Sequence, residues 1–339
     1  MSAVDAEITQ DAPAGAREQL EAALFEVKRV IVGQDAMLER LLVALLTGGH
    51  VLLEGVPGLA KTLTVKTVAE VLGGAFKRVQ FTPDLVPSDL VGTRVYRPDT
   101  GRFDIELGPV FANVLLADEI NRAPAKVQAA LLEVMQEHQV TIGGETFRVP
   151  EPYLVLATQN PIESEGTYPL PEAQTDRFLF KLVVGYPSAE DEAAVVTRSL
   201  EGVAPVRELL QPAELLRHRA AAEQVYVDGA IVRYAVALAD ATRHPAAHGL
   251  PELAAYVEFG ASPRGPIGLV QAARALALLR GRGHVVPQDV RDLALDVLRH
   301  RIVLRYEALA EDVTADAVIA RVVDAVPMPS QPMRARATT

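Results

Sequence analysis

Eight residues constrain this chain more than any others: Gly55-Val56-Pro57-Gly58-Leu59-Ala60-Lys61-Thr62, preceded by the apolar run Val51-Leu52-Leu53. A short apolar strand, a glycine-containing loop and a helix opening at a lysine form the context of a phosphate cradle. Backbone N–H groups and the helix N-terminus attract an anion. Lys61 would reach the β- and γ-phosphates, and Thr62 would offer its hydroxyl to Mg2+. The loop departs from the general pattern at Ala60, where glycine is usual, and alanine is the smallest side chain that could replace it. The same residues could also make a tight strand-to-helix turn with an exposed lysine, so the rest of the chain has to decide.

A second strand, Val114-Leu115-Leu116-Ala117, delivers Asp118 and Glu119 to its carboxyl end. There Asp118 can hold Mg2+ through water, and Glu119 can polarise an attacking water. A third strand, ending in Leu156-Ala157-Thr158-Gln159-Asn160-Pro161, places a polar amide where it could orient that water. Arg177, in Thr175-Asp176-Arg177-Phe178, stands just before another strand, and Arg264, in Ser262-Pro263-Arg264-Gly265, opens a later helix. Each motif alone has an ordinary structural explanation: a charged helix start, an Asn-Pro turn, a surface arginine. The loop and the Asp-Glu pair together explain each other.

At 339 residues the chain exceeds the usual size of one compact core, so two domains are expected. The formal charge of −11 argues against a general nucleic-acid coat or an anionic-membrane binder. That charge is uneven: residues 1–26 hold six acids and one base, or −5. The absence of cysteine excludes disulfides, thiolate zinc sites and cysteine nucleophiles. The N-terminus carries acids where a signal peptide needs bases, and the longest clean apolar run, Leu41 to Leu46, is too short to span a bilayer. A cytoplasmic protein is the expectation.

Apolar spacing predicts helices over Glu18–Arg29 and Gln34–Leu46. Strands follow at His50–Glu54, Phe76–Phe81, Asn113–Ala117, Tyr153–Thr158 and Phe178–Val184. Four are apolar enough for a buried parallel sheet, whereas Lys77, Arg78 and Gln80 mark the Phe76 strand as an edge. Two hairpins interrupt the alternation, one around the turn at 98–101 and one around Gly143-Gly144. From Tyr186-Pro187 onward the pattern is helical, near 189–200, 212–222, 228–243, 266–280 and 287–300. The expected organisation is therefore a disordered acidic tail over 1–14, an α/β nucleotide-binding domain over 15–186, a smaller all-α domain over 187–326 and a disordered tail over 327–339.

This order of motifs resembles the AAA+ ATPases, a P-loop parallel-sheet domain followed by a helical lid, and more narrowly their MoxR subfamily. The narrower likeness lies in Gly-Val-Pro-Gly-Leu-Ala-Lys-Thr with its alanine, in Ala117-Asp118-Glu119-Ile120-Asn121-Arg122-Ala123 and in Gln159-Asn160-Pro161. Leu170-Pro171-Glu172-Ala173-Gln174, Asp176-Arg177-Phe178, Ser262-Pro263-Arg264 and the two hairpin inserts extend it over about residues 15–325. The resemblance implies ATP and Mg2+ as cofactors. It makes Lys61 and Thr62 Walker A, and Asp118 and Glu119 Walker B, with Thr62 and Asp118 toward the metal. Asn160 would be sensor 1, Arg264 sensor 2, and Arg177 an arginine finger acting on a neighbouring subunit, with Arg122 a second candidate in trans. Val32 and Gly33 match the stretch that packs on adenine, and Gly55 through Leu63 line the nucleotide. It further implies a ring, usually a hexamer, that remodels or matures protein clients, typically ones with von Willebrand factor A domains. A nucleic-acid motor of the same superfamily and a nucleotide-gated scaffold with little turnover are the alternatives. The acidic balance opposes the first, and the presence of Glu119 and Arg177 opposes the second.

Overall fold

The structure is a computed structural model and describes residues 15–56, 59, 61–160, 166–202 and 205–330. The tails expected to be disordered, 1–14 and most of 327–339, fall outside the described residues, as do Pro57, Gly58 and Ala60 of the loop. The chain divides into two compact units, one of residues 21–217 and one joining 1–20 to 218–339.

Among the described residues, nine strands belong to the first unit: β1 (Val51–Glu54), β2 (Phe76–Gln80), β3 (Gly92–Arg97), β4 (Arg102–Leu107), β5 (Val114–Asp118), β6 (Gln139–Ile142), β7 (Glu145–Arg148), β8 (Leu154–Gln159) and β9 (Phe180–Val183). Five of them form a parallel sheet in the order β2-β5-β8-β1-β9. The central strands β5, β8 and β1 are almost wholly buried, which is why their sequences are unbroken apolar runs rather than alternations. β2 is an edge, as Lys77, Arg78 and Gln80 predict. β9 is the opposite edge: Phe180 and Leu182 are buried, Val183 is exposed, and Lys181 is held by Glu54 at 2.7 Å. One face of the sheet packs Leu52, Leu115, Val155 and Ala157 against Val127, Leu131 and Met135 of helix Ala125–Glu137.

Both inserts are hairpins. β3 pairs with β4 and β6 with β7, each antiparallel. Gly143 and Gly144 both have positive φ, the backbone a two-residue hairpin turn requires. The first hairpin begins three residues before Val95, directly after the short helix Pro87–Val91. Its base is closed by backbone: a Cβ on Gly108 would strike the Leu90 carbonyl oxygen, and one on Gly92 that of Glu106. Tyr96 lies opposite Phe103, with ring centroids 5.2 Å apart, so these aromatics pack on each other across the strands.

The helix Ala189–Glu201 is capped by Ser188 Oγ, which accepts from Asp191 N, and its start packs against Gly33. Arg207 then pairs with buried Glu26, and the backbone N–H groups of Leu209 and Leu210 donate to the Val71 carbonyl. These contacts hold residues 187–217 to the sheet unit, so the compact division falls after Arg217 rather than at Tyr186.

The second unit is built on helices Gly229–Arg243, Arg264–Leu279, Pro287–Leu298 and Ala315–Ala325. Asp228 caps the first through Ala230 N, and Pro287 is the first residue of the third. The buried Asp289 accepts from Val286 N and pairs with Arg280 and Arg282. It departs from an all-α unit at one antiparallel pair, β10 (Val257–Phe259) with β11 (Val303–Leu304). Strands of three and two residues are too short for an alternation to announce them.

Candidate functional site

At the carboxyl ends of β1, β5 and β8, next to edge strand β2, a cleft of about 480 Å3 opens. Its lining includes Gly55, Leu59, Lys61, Thr62 and Leu63 from the loop and helix start, Asp118 and Glu119 from β5, and Asn160 after β8. Gly55 allows the loop to leave the sheet, since a Cβ there would stand 2.6 Å from the Val184 carbonyl oxygen. The helix Lys61–Val71 begins at the lysine, so its first N–H groups are free of intrahelical partners where the loop ends. Lys61 Nζ donates to the Gly55 carbonyl. Burial pushes the Lys61 ammonium down, opposed by the negative charges of Asp118, Glu119 and Glu54.

Thr158 joins the two acids. Its hydroxyl donates to Asp118 Oδ1 at 2.6 Å and accepts from the Glu119 backbone N–H at 2.8 Å. Glu119 itself has φ +56, a left-handed backbone that turns its carboxylate away from the strand direction. Gln80 donates to Glu119 Oε2 at 2.7 Å, and Arg122 Nε lies 3.1 Å from the same oxygen. Arg78 donates to Asp118 Oδ2 through Nη2 at 2.7 Å and Nε at 3.2 Å.

Sequence reasoning did not single out Thr158, Arg78 or Gln80 for roles in the site. Thr158 was legible only as the polar end of an apolar strand, and the two β2 residues only as edge markers. Asn160 is buried within the lining. Gln34 donates to the Leu59 carbonyl at 3.2 Å, tying the Val32-Gly33 stretch to the loop. Arg177 does not line this cleft; its Nη1 donates to the Leu132 carbonyl at 3.3 Å. Arg264 lies in the other unit, where its backbone N–H donates to Ser262 Oγ.

Lys61, Thr62 and Asp118 form a donor set suited to a metal–polyphosphate complex: an ammonium, a hydroxyl and a carboxylate beside a helix start. A parallel sheet with this cleft at its carboxyl edge, carried by a strand–loop–helix and an Asp-Glu strand end and linked to a helical unit, defines an AAA+ ATPase. Residues 50–180 match the family described as ATPase family associated with various cellular activities (AAA), and 253–322 match an AAA lid domain. The chain is 59% identical to Chaperone MoxR1 of Mycobacterium tuberculosis, over 91% of this chain and 82% of that protein. It is 35% identical to Protein MoxR of Methylorubrum extorquens, over 90% and 93% of the two chains. A crystal structure of a proposed ATPase from Cytophaga hutchinsonii superposes with a TM-score of 0.88 at 47% identity, covering 93% of this chain and 96% of that one. The chain belongs to the MoxR family of AAA+ ATPases. Among the described residues no helix is long and apolar enough to cross a membrane.

Proposed function

We propose that this protein binds ATP with Mg2+ in the cleft at the sheet's carboxyl edge and hydrolyses it to ADP and phosphate. The convergence of Lys61, Asp118, Glu119 and Asn160 on one cleft, from strands far apart in sequence, carries this reading. Lys61, with the helix start, binds the phosphates. Thr62 and Asp118 would hold Mg2+, which would supply charge neutralisation for the phosphates. Glu119 orients the attacking water and draws its proton, while Thr158 holds the Asp118 carboxylate and the Glu119 backbone. Asn160 orients the same water. Val32 and Gly33 pack on the base.

Arg177 is offered to a neighbouring subunit, which makes hydrolysis depend on ring assembly, a hexamer in this reading, with Arg122 as a second group in trans. Arg264 reports nucleotide state to the lid. In this reading 15–186 is the nucleotide-binding domain and 187–326 the lid. The resemblance to a protein named as a chaperone supports action on client proteins, including those with von Willebrand factor A domains, in the cytoplasm, with the hairpins toward the client. Glu119→Gln is the test: turnover should fall by about 10²–10⁴ with nucleotide affinity retained. Unchanged turnover would remove Glu119 from the chemistry.

A further inference from the structure

Arg78 and Gln80 project from the same face of edge strand β2 and both line the nucleotide cleft. The Asp118 carboxylate is held at both oxygens: Oδ1 takes the Thr158 hydroxyl at 2.6 Å, and Oδ2 takes two donors of one guanidinium, Nη2 at 2.7 Å and Nε at 3.2 Å. Arg78 Nη2 also donates to Gln80 Oε1 at 3.0 Å, and the Gln80 amide donates to Glu119 Oε2 at 2.7 Å. The two acids of the site are thus linked through two side chains of a single strand. We propose that Arg78 and Mg2+ compete for the Asp118 carboxylate, so that binding of the metal at Asp118, directly or through water, requires the Arg78–Asp118 ion pair to open. A guanidinium and a divalent cation repel each other at one oxygen, so both cannot hold Oδ2 at full strength. Opening the pair also removes the donor that holds Gln80 Oε1, loosening the partner of Glu119 in the same event. Arg78 therefore sets the Mg2+ concentration at which the site becomes competent.

The proposal rests on the reading of Asp118 as a metal ligand, and the test separates the two. A fluorescent ADP analogue is titrated into the full-length protein over a range of Mg2+ concentrations, giving the Mg2+ midpoint for tight binding. Asp118→Asn should raise the Mg2+ midpoint well above the parent's; an unchanged midpoint would mean that the metal reading itself fails. Given that rise, Arg78→Ala should lower the midpoint about threefold to fivefold, the scale of a partly exposed ion pair. The same change in an Asp118→Asn background should have no effect. Arg122→Ala removes an equal charge beside Glu119 without touching Asp118, so an equal shift from it would mean general electrostatics and overturn the proposal. A midpoint unchanged or raised in Arg78→Ala would overturn it too. Arg78→Gln replaces the alanine variant if melting shows a disturbed fold, with the same expected shift.

Discussion

Thr158 has a hydroxyl with two obligations, donating to one acid and accepting from the backbone of the next. Replacing it with valine keeps the shape and removes both bonds, leaving a half-buried carboxylate oxygen and an amide without that partner. A loss of about 1–3 kcal/mol in stability is expected, visible as a lower midpoint in urea unfolding, with a fall in ATP turnover larger than the fall in nucleotide affinity. Thr158→Ser should restore most of both, because the hydroxyl is what matters.

Gly55 makes a different argument, from space rather than polarity. Gly55→Ala drives a methyl into the Val184 carbonyl, which is backbone and cannot rotate aside. Nucleotide binding, followed by calorimetry, should be lost or reduced more than tenfold. At this scale the sequence singles out Lys61, Thr62, Asp118, Glu119 and Asn160, because each sits at a fixed offset from a strand end, and the structure lines one cleft with them. The sequence is silent about Arg78 and Gln80. Their contacts depend on β2 lying next to β5, and no local pattern of residues states which strands are neighbours.

Among the elements, the first helix of the sheet unit is fastened at Glu26, a buried carboxylate bridged by Arg207 and Arg29. Hydrogen bonds from these guanidiniums hold its pKa down at about 2, against an ordinary value of 4.5. A carboxyl whose folded pKa is depressed stabilises the fold fully above its unfolded pKa, and that stabilisation disappears as pH falls through the folded value. Glu26→Gln should therefore melt lower than the parent at neutral pH. The gap should narrow between pH 4.5 and 2, as scanning calorimetry can follow.

Helices and buried strands were readable because their periods are long or their runs unbroken. The β10–β11 pair was not, since three residues against two carry no period. The attachment of residues 187–217 to the sheet unit is not legible in the sequence for a related reason. It depends on long-range partners, Arg207 with Glu26 and Asp191 beside Gly33, that no nearby residue signals. Arg280 and Arg282, two residues apart in the sequence, are both paired with the buried Asp289, a partnership that no local pattern states.

For the molecule as a whole, the proposed ring mechanism predicts cooperation between subunits. Arg177→Ala and Lys61→Ala proteins should each be inactive, and mixtures should recover part of the ATPase rate, since an intact finger can meet an intact loop. A finger in trans is worth about 10³–10⁵ in rate, so even sparse recovery would stand above background. No recovery at any mixing ratio would count against action in trans.

The parallel sheet gathers its working residues at strand ends, while the additions lie in the connections between strands, and the β3–β4 hairpin is one of them. Its two ends already meet backbone to backbone at Gly92 and Gly108. A segment that departs and returns at a single point can be exchanged without altering the span the remaining chain must cover. The hairpin is therefore a natural port. A binding peptide or a fluorescent reporter could be spliced in place of residues 95–104 while the sheet beneath keeps its order.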